Sequence, residues 1–130
     1  MPSAACRALI AVLCAVLALF FAFVGWNKAF ATLADLARYG SWTVHLPTLL
    51  GRAVGWSEMA MALSLLGGIA VRRPGVMRLA ALALVANQII AGLVHLSHSE
   101  AGALPQNFVL IAMLLLVALA RCPGSSRETA

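Results

Sequence analysis

The fold of this chain depends on residues 55–68, which have the sequence Gly-Trp-Ser-Glu-Met-Ala-Met-Ala-Leu-Ser-Leu-Leu-Gly-Gly. The stretch is apolar enough for a membrane helix, yet it contains a carboxylate, Glu58. An ionised carboxylate in hydrocarbon costs several kcal/mol unless it is paired, hydrated or protonated. We therefore expect a compensating group, and the first question is what Glu58 faces.

The composition indicates an integral membrane protein. Of the 130 residues, 63% are hydrophobic and 10% are charged, whereas a soluble domain has about a quarter charged residues. The net charge is +5, but the basic residues are scattered between apolar runs and form no stripe with interleaved aromatic residues. Arginine-rich cytoplasmic loops explain this charge. We expect a lipid bilayer around the protein and no nucleic-acid partner.

Four apolar runs, each long enough to cross the hydrocarbon core, predict four transmembrane helices. They cover residues 8–26, 48–71, 79–97 and 105–120. Short links between them predict an all-α antiparallel bundle in a single membrane domain, residues 1–124, with a polar tail at 125–130. Apolar residues at helical spacing between Lys28 and Tyr39 predict a short interfacial helix between helices 1 and 2.

The first apolar run also fits a secretory signal peptide. Arg7 precedes the run, and Ala29-Phe30-Ala31 resembles a cleavage site. Against this interpretation, the run is long for a signal core, and Asn27 and Lys28 separate it from the triplet. Both a retained helix and a cleaved peptide remain open from the sequence.

The positive charges predict the orientation, because cytoplasmic loops carry an excess of Lys and Arg. With both termini in the cytoplasm of a multi-pass cell-membrane protein, the inner side holds Arg7, Arg72, Arg73, Arg78, Arg121 and Arg127. The outer side then holds Lys28, Arg38 and Arg52. The tryptophans agree with this orientation, since all three fall near the outer interface, where amphipathic rings prefer to lie.

Cysteine and histidine spacing gives little support to metal or thiol chemistry. The three cysteines, Cys6, Cys14 and Cys122, form no Cys-x-x-Cys, which argues against a thiol–disulfide exchange motif and a cysteine zinc site. His95 and His98 are spaced for one helical turn, but we expect His98 beyond the end of its helix. We therefore predict no metal site.

Polar residues from all four predicted helices fall at the same outer level of the membrane. One interpretation is hydrogen-bonding between helices, with Glu58 paired to Lys28 or Arg52. The other is an outward-facing polar pocket in which Glu58 is the acid or base and His95 is its partner or a ligand. The remaining candidates, all for ligand binding, are Lys28, Arg52, Trp56, Asn87, Gln88 and Asn107.

Four stretches resemble the motifs of one family of membrane proteins. Gly25-Trp26-Asn27-Lys28 resembles that family's Gly-x-x-Lys at the end of helix 1, and Gly55-Trp56-Ser57-Glu58 resembles its Gly-x-x-Glu in helix 2. Residues 86–95 in helix 3 and Asn107 at the start of helix 4 are similar too. This resemblance is to the DoxX-like proteins, and it implies a four-helix membrane protein whose polar set is Lys28, Glu58, His95 and Asn107. It also implies links to a thiosulfate:quinone oxidoreductase subunit, to redox-associated membrane complexes and to assembly chaperones.

Three functions remain open from the sequence. The first is an accessory subunit, next to a membrane or redox partner, that binds a quinone-like or other lipophilic molecule. The second is a small membrane enzyme, an isomerase or hydrolase of a lipophilic substrate, with Glu58 and His95 as acid and base. The third is an assembly or interaction protein without a ligand. They differ in the role that they give to Glu58.

Overall fold

Four long helices and short connections make up the computed structural model, which describes residues 3–123. The α-helices are α1 (Ser3–Phe30), α2 (Leu33–Arg38), α3 (Thr48–Ala70), α4 (Pro74–Ser97) and α5 (Leu104–Leu119), with 3₁₀ turns at Trp42–His45 and Ala101–Ala103. Four helical segments, α1, α3, α4 and Ala101–Leu119, are long and apolar enough to cross a membrane. The prediction of an all-α four-helix membrane bundle is confirmed.

Two long helices extend beyond the predicted spans. α1 continues through Lys28 to Phe30, and α4 begins at Pro74 rather than near residue 79. Proline suits the first turn of a helix, because the backbone N–H that it lacks would have no partner within the helix there. The turn between α3 and α4 therefore consists of Val71, Arg72 and Arg73, with Arg72 in the left-handed region at φ 54°.

The connection after α1 contains a shorter helix than the sequence predicted. Only Leu33–Arg38 is helical, and Thr32 caps it by accepting a hydrogen bond from the backbone N–H of Asp35 at 3.1 Å. Lys28 belongs to α1 instead. Whether α2 lies in the membrane interface stays a prediction.

The two ends of the bundle differ in their contacts. At the terminal end, meaning the starts of α1 and α4 and the ends of α3 and α5, a disulfide joins Cys6 to Cys122 and Arg78 donates to the carbonyl of Ala120 at 3.3 Å. At the opposite loop end, residues 31–47 meet the α4–α5 connection. The side chains of His45 and Glu100 join these two connections at 3.0 Å.

The bundle buries its centre and exposes an apolar exterior. Leu17, Phe21, Leu65, Leu84 and Leu114 are each at most 1% exposed and form the middle of the core. Large apolar side chains such as Leu19, Phe23 and Leu63 are at least 70% exposed. Such an exterior suits hydrocarbon, which is the surrounding that a membrane span requires.

α1 and α3 touch at the backbone where two glycines face each other. A Cβ at Gly25 would lie 2.7 Å from the carbonyl oxygen of Gly55, and a Cβ at Gly55 would lie 2.6 Å from the Gly25 oxygen and from the Ala29 nitrogen. Small residues allow membrane helices this close approach. The contact lies one helical turn from Lys28 on α1 and from Glu58 on α3, so it brings these two side chains together.

Candidate functional site

A buried ion pair lies beside the glycine contact. The ammonium nitrogen of Lys28 is 2.6 Å from Oε1 of Glu58, and the two side chains are 5% and 1% exposed. In a low-dielectric interior such a pair persists only if each charge has a close partner. The structure therefore contains the ion pair of the first interpretation, in which a lysine compensates the charge of Glu58.

Two further side chains hold this pair in place. Asn87 on α4 donates its amide N–H to Oε1 of Glu58 at 2.7 Å. Arg52 on α3 donates to the backbone carbonyl of Lys28 at 2.9 Å, where that oxygen lies near the C-terminus of α1. Oε2 of Glu58 is buried without a hydrogen-bond partner among the described residues. The pair thus joins α1, α3 and α4 at one depth.

A cavity of about 470 Å³ opens next to Lys28, and Glu58 is not among its lining residues. Its walls come from α1, α4, α5 and the α2–Trp42 segment. The polar lining residues are Asn27, Lys28, Tyr39, Ser41, Trp42, Gln88, His95, Gln106 and Asn107. The apolar lining includes Phe20, Phe23, Leu36 and Leu110. Phe23 and Tyr39 are 70% and 71% exposed, so the cavity is open along that rim.

The cavity wall formed by Lys28 and Trp42 is rich in hydrogen-bond donors. The ammonium of Lys28 has three N–H groups, and Glu58 is its only hydrogen-bond partner in the part of the chain that the structure describes. Its ammonium lies 5.3 Å from the ring centre of Trp42, a cation–π arrangement. The indole nitrogen of Trp42 is buried without a partner among residues 3–123. A ligand oxygen that accepts hydrogen bonds fits this wall.

A carboxylate bridges two histidines at the loop end. Glu100 contacts Nδ1 of His95 at 2.6 Å through Oε2, and Nε2 of His45 at 3.0 Å through Oε1. The ring of His45 stacks on His98 with 3.6 Å between centroids. The cluster fastens the α1–α3 connection to the end of α4. Only His95 among these residues lines the cavity.

Hydrogen bonds from His95 and then from His45 lower the pKa of Glu100 below its ordinary value of 4.5. The folded state therefore favours the ionised carboxylate. Its stabilising contribution is fully present above pH 4.5 and is lost as the pH falls through the lowered pKa. The carboxylate of Glu100 is consequently ionised at neutral pH.

The structure separates the predicted site residues into three groups. Lys28, Gln88, His95 and Asn107 line the cavity. Glu58, Asn87 and Arg52 do not line it and instead contact Lys28 or one another. Trp56 lies elsewhere, 56% exposed with its ring 5.2 Å from Phe30. Glu58 and His95 therefore do not share one pocket wall.

Sequence reasoning missed two features of the site and one contact at the terminal end of the bundle. It left Trp42, which packs by Lys28, out of the candidate set, and it gave Glu100 no role. The Glu100 signal was its position five residues after His95, just past a helix end. The Cys6–Cys122 bond spans 116 residues, so no local spacing in the sequence predicts it. Among residues 3–123, no group of three or more His, Cys, Asp or Glu side chains is arranged to hold a metal ion.

The fold and the site together define a multi-pass membrane bundle with a buried lysine–glutamate pair beside a polar-lined cavity. A family model described as the DoxX-like family matches residues 12–117, and the chain belongs to that family. Searches of curated proteins and of solved structures give no significant match.

Proposed function

We propose that the protein is an accessory membrane subunit that binds a lipophilic molecule with a quinone-like head in the cavity beside Lys28. The observation that carries the proposal is the Lys28 ammonium, buried in a cavity wall with Glu58 as its hydrogen-bond partner. Quinone carbonyl oxygens accept hydrogen bonds from such a donor. The role beside a redox partner subunit rests on the family resemblance.

The dimensions and lining of the cavity support this ligand class. A volume of about 470 Å³ falls within the range of roughly 300–1,000 Å³ that is typical of small-molecule sites. Phe20, Phe23 and Leu110 offer apolar walls, while Lys28 and His95 offer polar contacts at two points. Such a lining suits a flat, largely apolar ring with oxygen atoms at its edge. The open rim at Phe23 lies on a membrane helix, so a lipophilic molecule can enter from the bilayer.

The enzyme hypothesis receives less support. It requires Glu58 and His95 to act on one substrate, but Glu58 lies behind Lys28 and outside the cavity lining. His95 alone contacts the cavity. Binding therefore explains the arrangement better than acid–base catalysis by these two residues.

We infer a cell-membrane location with both termini in the cytoplasm. The terminal end carries Arg7, Arg72, Arg73, Arg78 and Arg121, and the loop end carries fewer cations, one of which is neutralised by Glu58. This asymmetry supports a cytoplasmic terminal end. The cavity then opens in the outer half of the membrane. The orientation can be tested by measuring the oxidation state of Cys6 and Cys122 in living cells.

A pair of matched variants tests ligand binding. Ala103 lines the cavity from an exposed turn, whereas Ala101 in the same turn does not line it. We expect wild-type protein in nanodiscs to bind decylubiquinone in a calorimetric titration. Ala103→Trp should weaken binding by about tenfold or more, because the indole fills space that the ligand needs. Ala101→Trp should bind like the wild type.

The proposal fails if the wild type shows no saturable binding. It fails too if Ala103→Trp and Ala101→Trp bind equally well, because the ligand then lies outside this cavity. Equal melting temperatures of the two variants establish that any difference is local.

A further inference from the structure

His95 presents one ring nitrogen to the cavity and the other to a carboxylate. Its side chain is 6% exposed, and Nδ1 lies 2.6 Å from Oε2 of Glu100. Glu100 itself is 40% exposed at the loop end. Among the described residues, Nε2 of His95 has no hydrogen-bond partner, and the residue lines the cavity wall. Nε2 is therefore the atom available to a ligand.

The carboxylate decides which hydrogen-bonding role Nε2 takes. An ionised carboxylate only accepts hydrogen bonds. Nδ1 of His95 must therefore carry the ring hydrogen and donate a hydrogen bond to Glu100. In the neutral ring Nε2 is then an acceptor.

We propose that the His95–Glu100 pair determines which oxidation form of a quinone-like ligand the cavity prefers. Nε2 accepts a hydrogen bond from the hydroxyl of a hydroquinone, whereas a quinone carbonyl has no hydrogen to donate to it. Glu100 is the positioning residue and His95 touches the ligand. This inference rests on the proposed function of the cavity and adds the chemical form of its ligand.

The other titratable groups near the pair come from each neighbouring element. α1 brings Lys28 to the cavity wall, and the connection after α2 brings Tyr39. The 3₁₀ turn Trp42–His45 brings His45 to Glu100, with His98 stacked on it. α5 offers the uncharged side chains of Gln106 and Asn107. The charged groups of α3, Arg52 and Glu58, contact Lys28 and do not line the cavity.

The test compares the dissociation constants of decylubiquinone and its hydroquinone, measured anaerobically in nanodiscs. We expect the wild type to prefer the hydroquinone, and its ratio of the two dissociation constants to differ by about tenfold from the ratio of Glu100→Gln at the same neutral pH. Glu100→Gln keeps the shape, but its amide can donate to Nδ1 as well as accept from it, so Nε2 no longer has a fixed acceptor role.

Two further variants separate the pair from simple loop loosening. His45→Gln removes the other contact of Glu100 and leaves His95 in place, and we expect the wild-type preference. His95→Leu has no hydrogen-bond acceptor at this point of the cavity wall, and we expect the preference for the hydroquinone to be lost. A purely structural role for Glu100 would weaken both forms equally and leave their ratio unchanged.

The outcomes distinguish this inference from the proposed function. If neither form binds the wild type at any pH, the proposed function itself fails. If both bind and Glu100→Gln keeps the full wild-type preference for the hydroquinone, the cavity is a ligand site but the inference about His95 and Glu100 is overturned. The same preference in His95→Leu would overturn it as well.

Discussion

Lys28 and Glu58 carry opposite charges at a depth where neither is tolerated alone. A single charge left in a buried site is costly, and removing one partner of a buried pair destabilises proteins by about 3–5 kcal/mol. Asn87 adds a hydrogen bond to the same carboxylate oxygen at 2.7 Å. The pair is therefore a structural condition for the polar cavity as well as part of its wall.

A double-mutant cycle tests this dependence. We expect Lys28→Met and Glu58→Gln each to lower the free energy of unfolding in detergent by about 3 kcal/mol, because each leaves the partner charge buried. The double variant should recover part of that loss, since it removes both charges.

The matched control is Asp35→Asn, because Asp35 pairs with Arg38 at 3.9 Å on the surface. An exposed pair contributes about 0–1 kcal/mol, so little change is expected. A double variant as unstable as the sum of the two single variants would show that the two charges are not coupled.

At the scale of helices, close contact between α1 and α3 positions the pair. Gly25 and Gly55 allow the two backbones to meet, and Lys28 and Glu58 each follow their glycine by three residues. Because residues three apart lie on the same helical face, both charged side chains lie on the contact surface. The two Gly-x-x-charged motifs thus have one physical explanation.

A methyl group at the contact should force the helices apart. Gly55→Ala places a Cβ 2.6 Å from the Ala29 nitrogen, and we expect it to destabilise the protein by about 1–3 kcal/mol. Gly67 in the same helix has no atom within 4 Å of the position that a Cβ would occupy, so Gly67→Ala should be neutral or stabilising by up to about 1 kcal/mol. Thermal unfolding in one detergent compares them. Equal stability of the two variants would contradict a close backbone contact.

For the whole molecule, the arginines and the disulfide favour opposite compartments for the terminal end. The arginines favour a cytoplasmic terminal end, where the cellular thiol systems keep cysteines reduced. The structure nevertheless brings Cys6 and Cys122 together with a Cα–Cα separation of 5.6 Å, close enough to bond. The bond therefore forms when the terminal end meets oxidising conditions.

Trapping the thiols in intact cells tests which compartment contains the terminal end. Cells are quenched with acid, denatured and alkylated with a maleimide of high mass. If the terminal end is cytoplasmic, we expect all three cysteines to be labelled in quenched cells and only Cys14 in membranes left in air. Cys6→Ser should label at two positions under both conditions. Labelling of Cys14 alone in quenched wild-type cells would place the terminal end in an oxidising compartment and invert the orientation.

The sequence by itself determined the fold class, because long apolar runs have few alternatives to membrane helices. It also indicated that Glu58 needs compensation, since its cost in hydrocarbon depends only on its charge and surroundings. Four of the predicted site residues line the cavity for a related reason, because depth along each helix follows from residue number.

Only the tertiary structure decided which polar residues meet. The rotation of each helix placed Glu58 behind Lys28 and turned Trp56 to the exterior, and sequence spacing fixes neither rotation. The same packing joined Glu100 to His95 and His45, and Cys6 to Cys122, across connections and along the whole chain. Partners between separate helices depend on how backbones approach one another, and here the contact at Gly25 and Gly55 sets that approach.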